Sequence, residues 1–320
     1  THLESATNKL EKSQEIKKLK LSYDVLVVGA GPAGMMAAEH AAFAGLKVAI
    51  ADAMPSPARK FLMAGKSGLN LTKYEDISVF IKNYDAIEPL RPMLAEFGPK
   101  EVIGFARNLE QEVFTGSTGR VFPKVMKASP LLRSWLTRLE TLGVMLLRRH
   151  RWVGPLEVSE IHRFKTPTGG VQIHAKALIL AMGGASWARL GSDGAWSKDF
   201  KQAGIAQSEF LAANVGVQVA WSKHMIPYFG KPLKNIKLSA AGAQSHSEFV
   251  ITKSGIEGGA VYALGRMLRK TATAKLDFAP QINAADLHKI IASRKPKDSL
   301  TNFLRKSVKL DATKRALVFE

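Results

Sequence analysis

Apolar positions change their spacing several times along the chain, and each change marks an element. Residues 1–21 are polar, with Leu10, Ile16 and Leu19 at loose helical spacing among lysines and glutamates, the pattern of an appended arm. The run Tyr23-Asp24-Val25-Leu26-Val27-Val28 is β-rich and stops at Gly29-Ala30-Gly31-Pro32-Ala33-Gly34. An Ala/Met-rich helical stretch follows to Ala44, Gly45 ends it, and Val48-Ala49-Ile50-Ala51 closes at Asp52. This predicts strand, glycine turn, helix, strand. From Ile87 to Gly143 the period is mostly helical, broken by the segment from Phe114 to Pro123. Strand-like pieces around Gly154 and Gly169-Gly170 lead to Ala177-Leu178-Ile179-Leu180-Ala181, apolar on both faces as a central parallel strand is. Beyond Gly204 the chain is mixed. Strands are predicted at 215–219 and 249–252, helices at 258–270 and 284–291, and there is no internal repeat or low-complexity segment. The expected organisation is a polar arm at 1–21, an α/β domain at 22–209 and a mixed domain at 210–320.

A length of 320 residues supports more than one hydrophobic core. The absence of cysteine removes disulfides, thiolate nucleophiles, Cys-X-X-Cys redox pairs and Cys-ligated metals, and a reducing cytoplasm is the expected compartment. No apolar run is long enough to span a bilayer, so no membrane association is expected. The eight histidines include no i, i+4 pair, and no metal site is expected. The net charge of +19 asks for an acidic partner. Lys124 to Arg151 holds seven basic residues against Glu140, and Val261 to Glu320 holds thirteen against five acidic ones. Without interleaved aromatics or an RNP1-like pattern, a solvated face or one that attracts an anionic small-molecule substrate is the main reading. Nucleic acid is the minor reading, which the charge keeps open. Oligomeric state leaves no signal.

The pattern Gly29-X-Gly31-X-X-Gly34 gains weight from its context, a strand before it, a helix after it and Asp52 23 positions beyond Gly29. Gly29 permits the tight turn, Gly31 lets backbone approach a pyrophosphate, and Gly34 lets the helix lie close on the sheet. Pro32 and Ala33 open the helix whose N-terminus would face that pyrophosphate, and Asp52 with Ala53 would lie beside a ribose diol. FAD and NAD share this fingerprint, while a carboxylate disfavours a 2′-phosphate there. Gly65-Lys66-Ser67 imitates the end of a P-loop, but Lys60 stands where its first glycine is required. Ser67, Ser117 and Ser186 lie in no G-X-S-X-G elbow.

Three segments carry a resemblance. Arg59 to Thr72, Phe114 to Pro123 and Ala181 to Ser186 resemble, in order, the G-R-K…S-G-x-G-R-C-N-x-T, F-T-G-S-S-G-R-V-F-P and A-T-G-G-x-S motifs of the bacterial NAD(FAD)-utilizing dehydrogenase family, which has aminoacetone-oxidase-like and bile-acid-reductase-like members. Ile256 to Tyr262 matches a segment of one branch, and the similarity extends from residue 22 to about 318. The resemblance implies a Rossmann-like FAD-binding α/β domain with an inserted α+β domain, a small β-barrel plus helices. It implies ADP on the Gly29 turn and flavin near the loop of Gly65, Lys66, Ser67 and Asn70. Arg59, Lys60, Ala64, Trp152, Ala181, Met182, Gly183 and Gly184 join the expected cofactor residues by the same resemblance. Leu69 stands where the family's R-C-N has cysteine, so no thiol is expected beside the flavin. The family's terminal segment, which returns to the FAD domain, has no counterpart before Glu320.

The function expected is an oxidoreductase that transfers hydride between a small organic substrate and noncovalent FAD, with NAD(P)H as a candidate transient donor. No second strand-GxGxxG-helix unit provides a nicotinamide domain, and no catalytic acid or base stands out. The alternatives are a flavoprotein that binds or modifies tRNA, and a non-catalytic FAD-binding remnant.

Overall fold

The computed structural model describes residues 22–65, 68–84, 87–154, 156, 159–271 and 273–320, so the arm at 1–21 lies outside the described residues. Two compact units divide the chain at Glu209 and Phe210.

The first unit contains strands β1 (Ser22–Val28), β2 (Val48–Asp52), β3 (Thr72–Lys73), β4 (Val113–Thr115), β5 (Arg120–Pro123), β6 (Met145–Arg148), β7 (Arg151–Trp152), β8 (Ile161–Thr166) and β9 (Gly169–Leu180). Its helices are α1 (Pro32–Phe43), α2 (Arg59–Ala64), α3 (Ile77–Phe80), α4 (Ile87–Glu96), α5 (Pro99–Asn108), α6 (Ala128–Thr141) and α7 (Ser197–Gln202). The main sheet runs β6-β2-β1-β9-β8-β7, parallel from β6 to β9 and antiparallel beyond. Its period of two sorts the core. Val25, Val27, Val48 and Ile50 pack with Met35 and Ala38 of α1 and Leu131 and Trp135 of α6. Leu26, Val28, Ala49 and Ala51 turn to the other face, against Phe164, Ile173 and Ala175. Helix α1 begins with Pro32, whose missing N–H is no loss in a first turn. Within that helix Glu39 is buried, and its carboxylate accepts hydrogen bonds from Trp135 Nε1 and, at 3.0 Å, from Arg138 Nη1. A charge so placed needs such partners. The segment from Phe114 to Pro123 supplies β4 and β5 of a small β3-β5-β4 sheet, which interrupts the helical region.

The expected parallel strand is the end of β9, which lies between β1 and β8 in the sheet order; residues 177–180 pair in parallel with β1, whereas β8 pairs with residues 169–174, so among the described residues this stretch has a neighbour on one side. Its side chains are half-buried or exposed. An apolar run reports the demand for burial and not the number of strand neighbours.

The second unit is an antiparallel curled half-barrel ordered β10-β13-β12-β11-β14, from β10 (Val217–Gln218), β11 (Pro232–Ala240), β12 (Ala243–Thr252), β13 (Gly255–Glu257) and β14 (Lys275–Asp277). Ala241 and Gly242, both at positive φ, close the β11-β12 hairpin. The predicted strand at 215–219 shrinks to β10, and the predicted helix at 258–270 breaks at Leu264 into α8 (Gly259–Ala263) and α9 (Gly265–Lys270). Helices α10 (Ala284–Ala292), α11 (Leu300–Lys306) and α12 (Ala312–Phe319) complete it. Leu233, Ile236, Phe249, Ile251, Val261 and Leu264 form its core. The amine of Lys314 is drawn inside, where it donates to the carbonyls of Asn235 (2.9 Å) and Phe278 (2.8 Å), and burial pushes its pKa down.

Candidate functional site

The turn after β1 is built by three glycines with separate jobs. Gly29 sits at φ +107°, and a Cβ there would lie 2.3 Å from the Ala181 carbonyl oxygen. At Gly34 a Cβ would fall 1.9 Å from the carbonyl oxygen of Gly29, so only glycine lets α1 settle on the turn. Gly31 differs: its φ of −83° suits any L residue, and a Cβ would meet nothing within 4 Å. That emptiness opens into a cavity of about 500 Å³ lined by the turn, the end of β2 and residues 58–61, 150–152, 181–183 and 190–199.

Asp52 lies at the end of β2 and braces the turn. Its Oδ2 accepts from the Ala30 N–H and its Oδ1 from the Met54 N–H, each at 2.7 Å. A carboxylate has about four lone-pair sites, so capacity for further donors remains on the cavity side. Ala58, at φ 53°, donates its N–H to the Ala30 carbonyl at 2.8 Å and thereby sets the start of α2 against the turn.

Lys60 and the segment after β9 form the opposite wall. The Lys60 amine donates to the carbonyls of Gly184 (2.9 Å) and Ser192 (2.8 Å), and Trp196 Nε1 donates to the Gly183 carbonyl (2.9 Å). Removal from water lowers the Lys60 pKa, an effect opposed by the Asp193 charge. Asp193 is itself held below the usual carboxylate range, chiefly by the Ala195 N–H. Of the cavity-lining residues Arg59 and Ser192, the buried atoms Nε and Oγ have no hydrogen-bond partner among the described residues.

The expected site residues divide accordingly. Gly29, Gly31, Pro32, Asp52, Ala53, Arg59 and Lys60 line this cavity, and so do Trp152, Ala181, Met182 and Gly183. Ala33 borders an adjoining hollow with Trp196 and Phe200. Gly34 is buried beneath the turn. Gly65 is buried where a Cβ would lie 2.5 Å from Ala128 Cβ, which makes it a helix-packing position. Ala64 and Asn70 are exposed and outside the cavity lining. Gly184 joins through its carbonyl alone. Lys66 and Ser67 lie outside the described residues. Sequence reasoning missed Met54, Ser56, Ser192, Asp193 and Trp196. The turn-forming Gly191-Ser192-Asp193-Gly194 after the second glycine motif was the available signal.

With this geometry established, comparison with known proteins is decisive at the family level. Residues 23–271 match the HI0933-like protein Rossmann domain. The chain belongs to this family. Its members are FAD-dependent Rossmann proteins of the flavin oxidoreductase superfamily. A ribosomal RNA dihydrouridine synthase of Haemophilus influenzae is 24% identical over 284 residues, 87% of this chain and 70% of that protein. A ferredoxin–NADP reductase of Salinispora tropica is 39% identical over 83 residues, 25% of this chain, and the match spans only 24% of that reductase. Among solved structures, the open conformation of a flavocytochrome c3 fumarate reductase aligns at a TM-score of 0.42 and 21% identity, covering 56% of this chain and 36% of that one. No described helix is long and apolar enough to cross a membrane.

Proposed function

We propose that this family member binds FAD noncovalently in the cavity beside the Gly29 turn and works as an oxidoreductase. The observation that carries the reading is the open space at Gly31, which faces a cavity lined also by Asp52 and Arg59. A dinucleotide suits both features. The N-terminus of α1 would hold its pyrophosphate, with Arg59 as countercharge, and the spare acceptor capacity of Asp52 would take the ribose hydroxyls. Trp152 and the Ala181 to Gly183 backbone would pack on the rest, while Lys60 keeps the far wall in place. FAD, when bound, supplies the hydride chemistry, and the protein orients it and excludes water. The test is anaerobic mixing of FAD-loaded protein with NADH or NADPH. Bleaching of the flavin band identifies a nicotinamide donor, whereas FAD-loaded protein that neither chemical nor enzymatic reductants can bleach contradicts the oxidoreductase reading.

A second reading concerns the substrate. Similarity to the ribosomal RNA dihydrouridine synthase over 87% of this chain, together with the net charge of +19, favours a reducible base within structured RNA over a free small molecule. Mass spectrometry of ribosomal RNA from cells lacking the protein tests it. Loss of a dihydrouridine supports the reading, and an unchanged modification profile removes it.

A further inference from the structure

The basic charge is not spread evenly. Between Lys289 and Lys309 there are seven Lys and Arg residues and one acidic residue, Asp298. All seven basic residues are exposed. Some lysines and arginines elsewhere pair with carboxylates, as Lys73 does with Glu75, Arg138 with Glu39 and Lys176 with Asp24. Within this run Lys289 stands 3.7 Å from Asp286 in a solvent-exposed contact, and Lys295, Lys297, Arg305, Lys306 and Lys309 have no ion pair among the described residues, so the positive charge there is close to uncompensated. Like charges held together without partners repel each other, and an anionic surface would relieve that repulsion.

The local fold keeps this cluster in shape. Leu287 and Ile290 of α10 pack with Phe303 and Leu304 of α11 around Ala279, Val308 and Leu310. Leu287, Ile290, Phe303 and Leu304 are therefore turned inward, while Ile291 and Leu300 stay exposed. Between them Arg294 folds back, its Nε and Nη2 donating to the Asp298 carbonyl at 3.2 and 2.9 Å, while the Asp298 N–H donates to the Lys295 carbonyl at 2.9 Å. That closed turn projects Lys295 and Lys297, and Ser299 caps the start of α11. A membrane-surface helix needs an apolar face free to enter the bilayer. Here only Ile291 and Leu300 are left exposed, too little apolar surface for such a face.

We propose that the α10–turn–α11 surface of the second unit, from Lys289 to Lys309, is a docking site for the phosphate backbone of structured RNA. The assignment rests on the RNA-substrate reading above and specifies where that substrate is gripped. With no exposed aromatic in the cluster, the contact is with phosphates and not with bases, so it fixes position without reading sequence.

The experiment compares three full-length proteins: the parent, a surface variant (Lys289→Gln, Lys295→Gln, Lys297→Gln, Arg305→Gln, Lys306→Gln) and a charge-matched control in the first unit (Lys82→Gln, Lys100→Gln, Lys127→Gln, Arg133→Gln, Lys201→Gln). Each is titrated with a ribosomal RNA hairpin between about 50 and 200 mM salt, the range in which released counterions dominate affinity. The same samples are titrated with FAD and melted, and the parent is also offered vesicles rich in phosphatidylserine. The parent is expected to bind RNA with a steep salt slope, to ignore the vesicles, and to lose up to about 4.5 units of slope in the surface variant, at roughly 0.9 per phosphate contact. FAD uptake and melting should not change in that variant, and the control should keep most of the RNA affinity. Equal losses in the surface variant and the control, no RNA binding by the parent, or preference for vesicles would each overturn the assignment. Failure to take up FAD, with RNA binding as expected, would count against the flavin reading alone.

Discussion

Replacing Asp52 by alanine tests whether the turn is braced as the structure describes. The substitution removes two hydrogen bonds of 2.7 Å from backbone N–H groups to one carboxylate and leaves the Ala30 and Met54 donors without their acceptor. A hydrogen bond to a charged group contributes about 1.5–3 kcal/mol. Asp52 is only half-buried, so the low end applies to each, and the expected loss is about 3 kcal/mol. For a domain of about 150–250 residues each kcal/mol moves the melting temperature by about 2–4 °C, which predicts a drop of about 6–12 °C. Asp52→Asn keeps one acceptor oxygen and should lose about half as much. The assay is thermal unfolding of protein stripped of FAD, followed by circular dichroism, so that ligand stabilisation does not enter. A melting temperature for Asp52→Ala within about 2 °C of the parent would refute the bracing argument. If FAD affinity then fell without any change in melting, Asp52 would serve the ribose alone.

Three further outcomes follow from the same geometry. Gly31→Val should fold normally, because a Cβ there meets nothing, yet abolish FAD uptake by filling the cradle; Gly34→Ala should instead lower the melting temperature, because its Cβ would fall 1.9 Å from the Gly29 oxygen. Lys60→Met frees the Gly184 and Ser192 carbonyls and should weaken FAD binding about tenfold, which is about 1.4 kcal/mol, with faster proteolysis in the 183–199 segment and altered Trp196 fluorescence. Burial lowers the pKa of His162 on β8, so below about pH 6.5 the unfolded chain takes up a proton that the folded chain refuses. Stability should fall as pH drops through that window, by less in His162→Gln, and urea melts at pH 7.5 and 5.5 measure the difference.

The β1–turn–α1–β2 part of the first unit was legible because its signals are local. Alternation fixes β1 and β2, Pro32 and Gly45 bound α1, and the glycine spacing places the turn. The far wall of the cavity was not legible. Lys60 reaches carbonyls 124 and 132 positions away, and nothing in the sequence around Arg59-Lys60 reveals that its amine holds a loop together. The close packing at Gly65, where a Cβ would lie 2.5 Å from Ala128 Cβ, depends on the pairing of α2 with α6, which no local pattern discloses. The stretch from Ala177 to Leu180 reads as a parallel strand and pairs as one with β1, but its hydrophobicity does not tell how many partners it has, because those come from the rest of the chain.

The central claim is that the cavity beside Gly31 holds FAD, and one titration addresses it. Purified protein is unfolded and refolded to strip bound cofactor, then titrated with FAD while tryptophan fluorescence and the flavin spectrum are followed, with Gly31→Val in parallel. The account predicts saturation at one FAD per chain, full recovery of intact FAD from acid-precipitated protein, and no uptake by the well-folded Gly31→Val variant. Parent protein that refolds, as its melting shows, but takes up no FAD would contradict it, and so would uptake that Gly31→Val leaves unchanged.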